Sequence, residues 1–142
     1  MNKENIEKKE GSNNNNKIEF NAPYIGQKEM KRDSYRRERG GTSVILIVSC
    51  ANCEQPIMQY QKDGPGALLR CYLDRILFPK NLSSLQKNPN VTSTATMPQL
   101  ECPSCKAHIG TPMVYEKEKR LAYRLIPNTY KKKKDKRTKD KK

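Results

Sequence analysis

Two cysteine pairs carry the chemistry open to this sequence. Cys50 and Cys53 stand three positions apart in "SCANCEQPI", and Cys102 and Cys105 repeat that spacing in "ECPSC". A fifth cysteine, Cys71, stands alone. A CxxC can be a redox couple, part of a disulfide framework or half of a metal site. An odd cysteine count with no visible secretory signal argues against a disulfide framework. A thioredoxin-like redox motif needs a βαβ setting, which one pair could mimic but two do not. Metal binding accounts for all four residues. A CxxC turn lets two thiolates converge on one cation while turn N–H groups stabilise the negative sulfurs, and two such turns complete a tetrahedron. Four soft thiolates at about 2.3 Å suit one Zn2+ and leave no open position for water, so the site is expected to be structural, with iron as the alternative ion.

Other candidates for chemistry are weaker. His108 lies three residues after Cys105 and could replace a thiolate, but the fourth cysteine already fills the shell. Cys71 could act as a nucleophile with His108 as its base. It sits among Leu68, Leu69, Tyr72 and Leu73, however, the setting of a buried, inert thiol. Asp74 and Arg75 read as a local ion pair or cap. The HxE and PCxxC elements of a zinc deaminase are absent, with Glu101 where the proline would stand. The expectation is a protein that is not an enzyme.

The elements that must position the cysteines are short. "VILIV" (Val44 to Val48) reads as a strand leading into the first pair. "TPMVY" and "RLAYRLI", separated by "EKEK", read as a β-hairpin after the second, with Leu121, Tyr123 and Leu125 alternating with Ala122 and Arg124. Residues 67–77 come after the turn signal Asp63-Gly64-Pro65-Gly66. Their apolar spacing fits a helix, while a strand pairing back on "PIMQY" is equally compatible. Residues 79–99, rich in Pro, Asn, Ser and Thr, read as a loop insertion with few core candidates. They lengthen the gap between the pairs beyond the usual roughly 15–20 residues.

Over residues 43–126 this arrangement resembles a zinc ribbon, carried by Cys50, Cys53, Cys102, Cys105 and their flanking strands. The resemblance implies a small β-rich fold of two hairpin-like units joined by the metal site. Zinc ribbons occur in ribosomal proteins, transcription factors, polymerase subunits and small adaptors, so the fold does not choose a function.

Composition sets the remaining bounds. The chain has 142 residues, is 34% hydrophobic and contains no Trp, so its core must be small. Residues 1–42, with "NNNN" and mixed charges, are expected to be disordered. Residues 127–142 read as a solvated Lys-rich tail. The net charge of +14 is uneven: residues 1–40 hold ten Lys/Arg against seven Asp/Glu, residues 116–142 thirteen against four, and the middle is nearly neutral. Such a basic end most often meets polyanions. Arg120, Arg124, Lys131, Lys132, Lys133 and Lys134 are the candidate nucleic-acid contacts. Arg120 and Arg124 share one face of a regular strand, and Tyr123 takes the other, core-facing side.

These features predict a zinc-stabilised protein that binds RNA or a ribonucleoprotein surface. The alternative is a ribbon adaptor that docks a protein partner, its tail only solubilising. A redox or metal-storage role is a third, minor option. No apolar run approaches the roughly 20 residues that span a bilayer, so no membrane role is expected. The expected location is intracellular, in nucleus or cytoplasm, the nuclear option resting on "KKKKDKR".

Overall fold

The computed structural model describes residues 20–138. Within them the strands are β1 (Ser43–Cys50), β2 (Pro56–Asp63), β3 (Arg70–Tyr72), β4 (Ile76–Phe78), β5 (Leu100–Glu101), β6 (His108–Tyr115), β7 (Arg120–Leu125) and β8 (Tyr130–Lys134). They form two antiparallel sheets, in the orders β4-β2-β1-β8 and β3-β7-β6-β5. The α-helices among the described residues are one-turn pieces, α1 (Ser34–Glu38) and α2 (Lys80–Ser83). None is long and apolar enough to cross a membrane.

Period-two alternation builds the core. On β1 and β2, Leu46 stands opposite Tyr60 and Val48 opposite Met58. These side chains, with Cys50, pack against Cys71, Leu100, Ile109, Tyr123 and Leu125 of the second sheet or its margins. Each large apolar side chain buried in this way contributes about 1.5–3 kcal/mol. Tyr123 is fully buried and its hydroxyl donates to the Pro98 carbonyl at 2.7 Å, on the core side as its position in the strand requires.

The intervening residues of β2, Gln59 and Gln61, face the opposite way yet are also fully buried. They are covered by the segment before β1. The Gln59 amide donates to the Pro23 carbonyl at 2.7 Å, and Gln61 exchanges two hydrogen bonds with the backbone of Lys31, at 2.8 and 3.0 Å. Asp33 caps α1 by accepting from the Arg36 N–H, and the buried Arg36 donates to Ser43 at 2.7 Å. Residues 20–42 therefore do not behave as the disordered segment their composition suggests. They form a strap closed by these polar contacts together with the buried Ala22 and Met30 and an edge-to-face contact of Phe20 with Phe78. The rest of that expected segment, residues 1–19, lies outside the described residues.

The ambiguous stretch 67–77 is both strand and helix. β3 pairs with β7 in the second sheet, Leu73–Arg75 makes one 3-10 turn, and β4 pairs with β2 in the first. The segment thus carries the chain from one sheet to the other. The insertion 79–99 is also more ordered than a loop. It holds α2 and two 3-10 turns, and sends Leu85 and Met97 into the core. The expected solvated tail from residue 127 begins instead with β8, whose Lys131–Lys134 pair with Ser49, Val48, Ile47 and Leu46 of β1. Four lysines suit this place, because charged side chains on an outermost strand oppose further strand addition. Residues 139–142 of the tail lie outside the described residues.

Candidate metal centre and basic surface

The four cysteines of the two pairs come together at one end of the two sheets. Cys50 closes β1, and Cys53 lies in the turn to β2. Cys102 comes directly after β5, and Cys105 lies in the turn to β6. The two turns match feature by feature. Cys50 N–H donates to the Gln55 carbonyl and Cys102 N–H to that of Ala107, both at 2.9 Å. Glu54 N–H returns to the Cys50 carbonyl at 2.8 Å and Lys106 N–H to that of Cys102 at 2.9 Å. Glu54 and Lys106, each one residue past the second cysteine, both adopt φ of 68°. The strand register shifts between Val48 and Ser49 and again between Leu100 and Glu101, at the same distance before each first cysteine. Such irregularities bend a strand and re-aim the residues beyond the bend.

The sulfurs meet crosswise. Cys50 Sγ lies 3.6 Å from Cys105 Sγ, and Cys53 Sγ lies 3.5 Å from Cys102 Sγ. All four fall within 4.8 Å of one another. A tetrahedral four-thiolate zinc site with bonds of about 2.3 Å has sulfur–sulfur edges of about 3.8 Å. The observed spacing fits such a site and is far from the roughly 2.05 Å of a disulfide. Cys50 and Cys102 are fully buried against the core, whereas Cys53 and Cys105 form the half-buried outer side. The cluster can therefore hold a metal ion.

Its electrostatics are asymmetric. The Asn52 amide reaches across to Cys105 Sγ at 3.4 Å and, with the backbone N–H of Ala107, lowers the pKa of that thiol to about 6. Burial pushes Cys102 up to about 12, even though Ser104 N–H approaches its sulfur at 3.4 Å. A bound cation is what would bring all four to the thiolate form. Asn52 does not stand out by residue type in the sequence. The signal that marks it is its place inside the first CxxC, where a short amide side chain can face the opposite turn.

The remaining candidates fall outside the cluster. His108 Nε2 is 2.9 Å from Gln99 Oε1 and 3.0 Å from the Gly110 carbonyl. Cys71 is fully buried and burial drives its thiol far up, as expected of an inert core residue. Arg75 touches Asp74 only at 3.8 Å, while its main partners are Asp33 at 2.6 Å and Asp63 at 2.8 Å.

Of the expected nucleic-acid contacts, Arg120 has to be set aside. It shares a face with Arg124, as strand geometry requires, but is 6% exposed. Its guanidinium donates to Asp74 at 2.6 Å and Glu118 at 2.9 Å, and its central carbon stands 3.9 and 3.8 Å from the ring centres of Tyr35 and Tyr72. It is neutralised and enclosed. Arg124 and Lys131–Lys134 are all exposed. Lys131 meets Glu54 at 3.4 Å in an exposed pair.

No family model, no curated protein and no solved structure matches this chain.

Proposed function

We propose that this protein is a zinc-ribbon RNA-binding protein in which Zn2+ on Cys50, Cys53, Cys102 and Cys105 is structural and the basic strand β8 meets the polyanion. The observation that carries this reading is the exposed run Lys131–Lys134, held in register against β1 instead of trailing as a flexible end. Strand alternation sends Lys131 and Lys133 to one face and Lys132 and Lys134 to the other, and each ordered pair loses less freedom on contact with a phosphate backbone than a free tail would. The facing knuckles on the hairpins β1–β2 and β5–β6 support the ribbon assignment, and the matched sulfur spacing supports zinc. Binding rather than catalysis is favoured because the free thiol of Cys71 is sealed in the core. Thiolate ligation fits a reducing, intracellular location, nuclear or cytoplasmic.

The test uses the metal-loaded chain and a structured RNA over a salt series. Substituting Lys131 to Lys134 with Gln should weaken binding to all sequences alike and lower the salt slope by about 0.7 to 0.9 for each phosphate no longer neutralised. Unchanged binding would remove β8 from the interface. Absence of any RNA binding at low salt would sink the reading and promote the protein adaptor.

A further inference from the structure

The outer face of the second sheet carries a ladder of arginines and tyrosines that is neutralised at one end only. At the closed end, Arg120 is paired with Asp74 and Glu118, and Arg39 binds Glu118 bidentately, with both distances 3.0 Å. Tyr72 comes next, its ring edge-to-face with that of Tyr115 at 5.8 Å. At the open end, Arg70 of β3 stands directly opposite Arg124 of β7. Directly opposed side chains in an antiparallel pair have Cβ atoms about 4.5–5.5 Å apart, and like charges there are unfavourable. Neither arginine has a carboxylate partner among the described residues. Arg70 is held in place by the Tyr72 hydroxyl at 3.2 Å and by the Tyr115 ring, 4.6 Å from its guanidinium carbon. Arg124 is exposed, beside the exposed Thr111 across the β6–β7 register.

We infer that Arg70 and Arg124 form a phosphate-gripping pair for the backbone of single-stranded RNA, a site that rests on the RNA-binding reading and extends it to the second sheet. An anion between the two guanidiniums relieves their repulsion, and arginine forks match phosphate oxygens bidentately. A single strand is favoured over a duplex by the shape of the surface. The α-helices α1 and α2 have five and four residues, too short to fill a major groove. A sheet face with one partly exposed aromatic ring, Tyr115, suits a splayed strand. The lysine strand lies close by: the Tyr130 hydroxyl at its start donates to the Leu68 carbonyl at 2.6 Å, two residues before Arg70. Beside Arg70 lies a cleft of about 200 Å³ lined in part by Arg39, Lys62, Asp63 and Leu68. Burial, with the Lys132 charge as a second cause, lowers the Lys62 ammonium, while Asp63 works the other way.

The experiment measures binding of a fluorescein-labelled 12-nucleotide RNA to the metal-loaded full chain, to Arg70→Ala/Arg124→Ala and to the exposed single variant Arg124→Ala. Metal content and melting curves establish that each variant is folded. The double variant is expected to bind about tenfold more weakly at low salt, with the salt slope reduced by about 1.4 for two phosphates, and Arg124→Ala to show about half that slope change. If the wild type binds and both variants bind equally well, the arginine site is overturned while the RNA-binding reading stands. If the wild type does not bind, both fail. Displacement of the RNA by tripolyphosphate at equal phosphate concentration would assign the pair to small anions and overturn the nucleic-acid assignment.

Discussion

At one end of the paired sheets four sulfurs converge from two turns; at the opposite end the sheets are joined by charged side chains. Arg75, 1% exposed, links Asp63 of the first sheet to Asp33 of the strap, and Asp74 next to it passes the connection to Arg120 of the second sheet. Glu118 then bridges Arg120 to Arg39, just past α1. Both joints hold the same two sheets, yet their energetics differ in kind. A cation gathers its ligands by strong bonds that have no counterpart in the unfolded chain. The ionic joint exchanges hydration for pairing, so its net contribution is small while the penalty for breaking it is large.

The largest expected effect is therefore at the sulfur end. Structural zinc sites in small domains are worth on the order of 10–16 kcal/mol, against a typical net stability of about 5–15 kcal/mol. Chelation, Cys50→Ser or Cys102→Ser should unfold the protein, read by circular dichroism together with metal content. A folded, metal-free chain would abolish the contrast between the two ends. Cys71→Ala should retain stoichiometric metal, since its thiol is outside the cluster.

Next comes the ionic end. Arg75→Ala leaves Asp63, with a 4% exposed side chain, and Asp33 without their cation. Removal of one partner of a buried pair costs about 3–5 kcal/mol. Urea unfolding of the metal-loaded protein should show a loss of that size, and Arg75→Met combined with Asp63→Asn should recover part of it. A loss below about 1 kcal/mol would mean that the ionic joint is dispensable.

The two ends also differ in how visibly they are written in the sequence. The four clustered cysteines occur as two local pairs with a fixed spacing, and the flanking strands β1, β6 and β7 show as apolar runs or alternation. The ionic joint draws on Asp33, Arg39, Asp63, Asp74, Arg75, Glu118 and Arg120. Asp74 beside Arg75 and Glu118 two residues before Arg120 are close in sequence, but hydropathy marks all seven as surface, and only long-range folding links them into one series of pairs. The strap 20–42 is hidden because its buried apolar residues, Ala22 and Met30, are too scattered to show a period, and the rest of its hold on β2 runs through the side-chain amides of Gln59 and Gln61. β8 is hidden because an outermost strand needs no apolar face. Arg120 shows the limit of strand parity: parity gives the face of a side chain, but not whether another segment closes over it.

A smaller effect separates the ends by acid. The Arg75 guanidinium, hydrogen-bonded to Asp33, holds that carboxyl down to about 2. Burial works to raise Glu118, but hydrogen bonds from Arg39 and Arg120 outweigh it and leave the carboxyl below its usual range. A carboxyl depressed in the folded state stabilises the protein above its unfolded value near 3.9, and that stability disappears as pH falls towards the folded value. Stability should thus fall between about pH 4 and 2 through Asp33. Acid also releases the metal, so the coupling is read at pH 7 in the metal-loaded protein, where Asp33→Asn should lower the urea midpoint because the pairing with Arg75 is lost. An unchanged midpoint would show that Asp33 is not coupled to folding.

The last contrast concerns backbone shape, and it runs in opposite directions at the two ends. Lys106 holds φ of 68° in the second knuckle, a left-handed conformation that disfavours side chains by roughly 1–2 kcal/mol. Its ammonium makes a long contact, 3.4 Å to the Pro103 carbonyl, and the residue is exposed. Lys106→Gly removes the strain, although glycine also loosens the unfolded chain by about 0.4–1 kcal/mol. The expected outcome is a gain of up to about 1 kcal/mol, visible as a rise in Tm of a few degrees in the metal-loaded protein. Glu54 has the same φ but also meets Lys131, so Lys106 is the cleaner site. At the ionic end, Gly64 already occupies the left-handed region at φ of 75°, and its N–H donates to the Thr42 carbonyl. A Cβ there would lie 2.6 Å from the Arg39 carbonyl oxygen, a backbone atom that cannot swing aside. Gly64→Ala should therefore cost about 2 kcal/mol or more and displace Arg39 from Glu118. Equal and small shifts for both substitutions would show that neither turn is rigidly held.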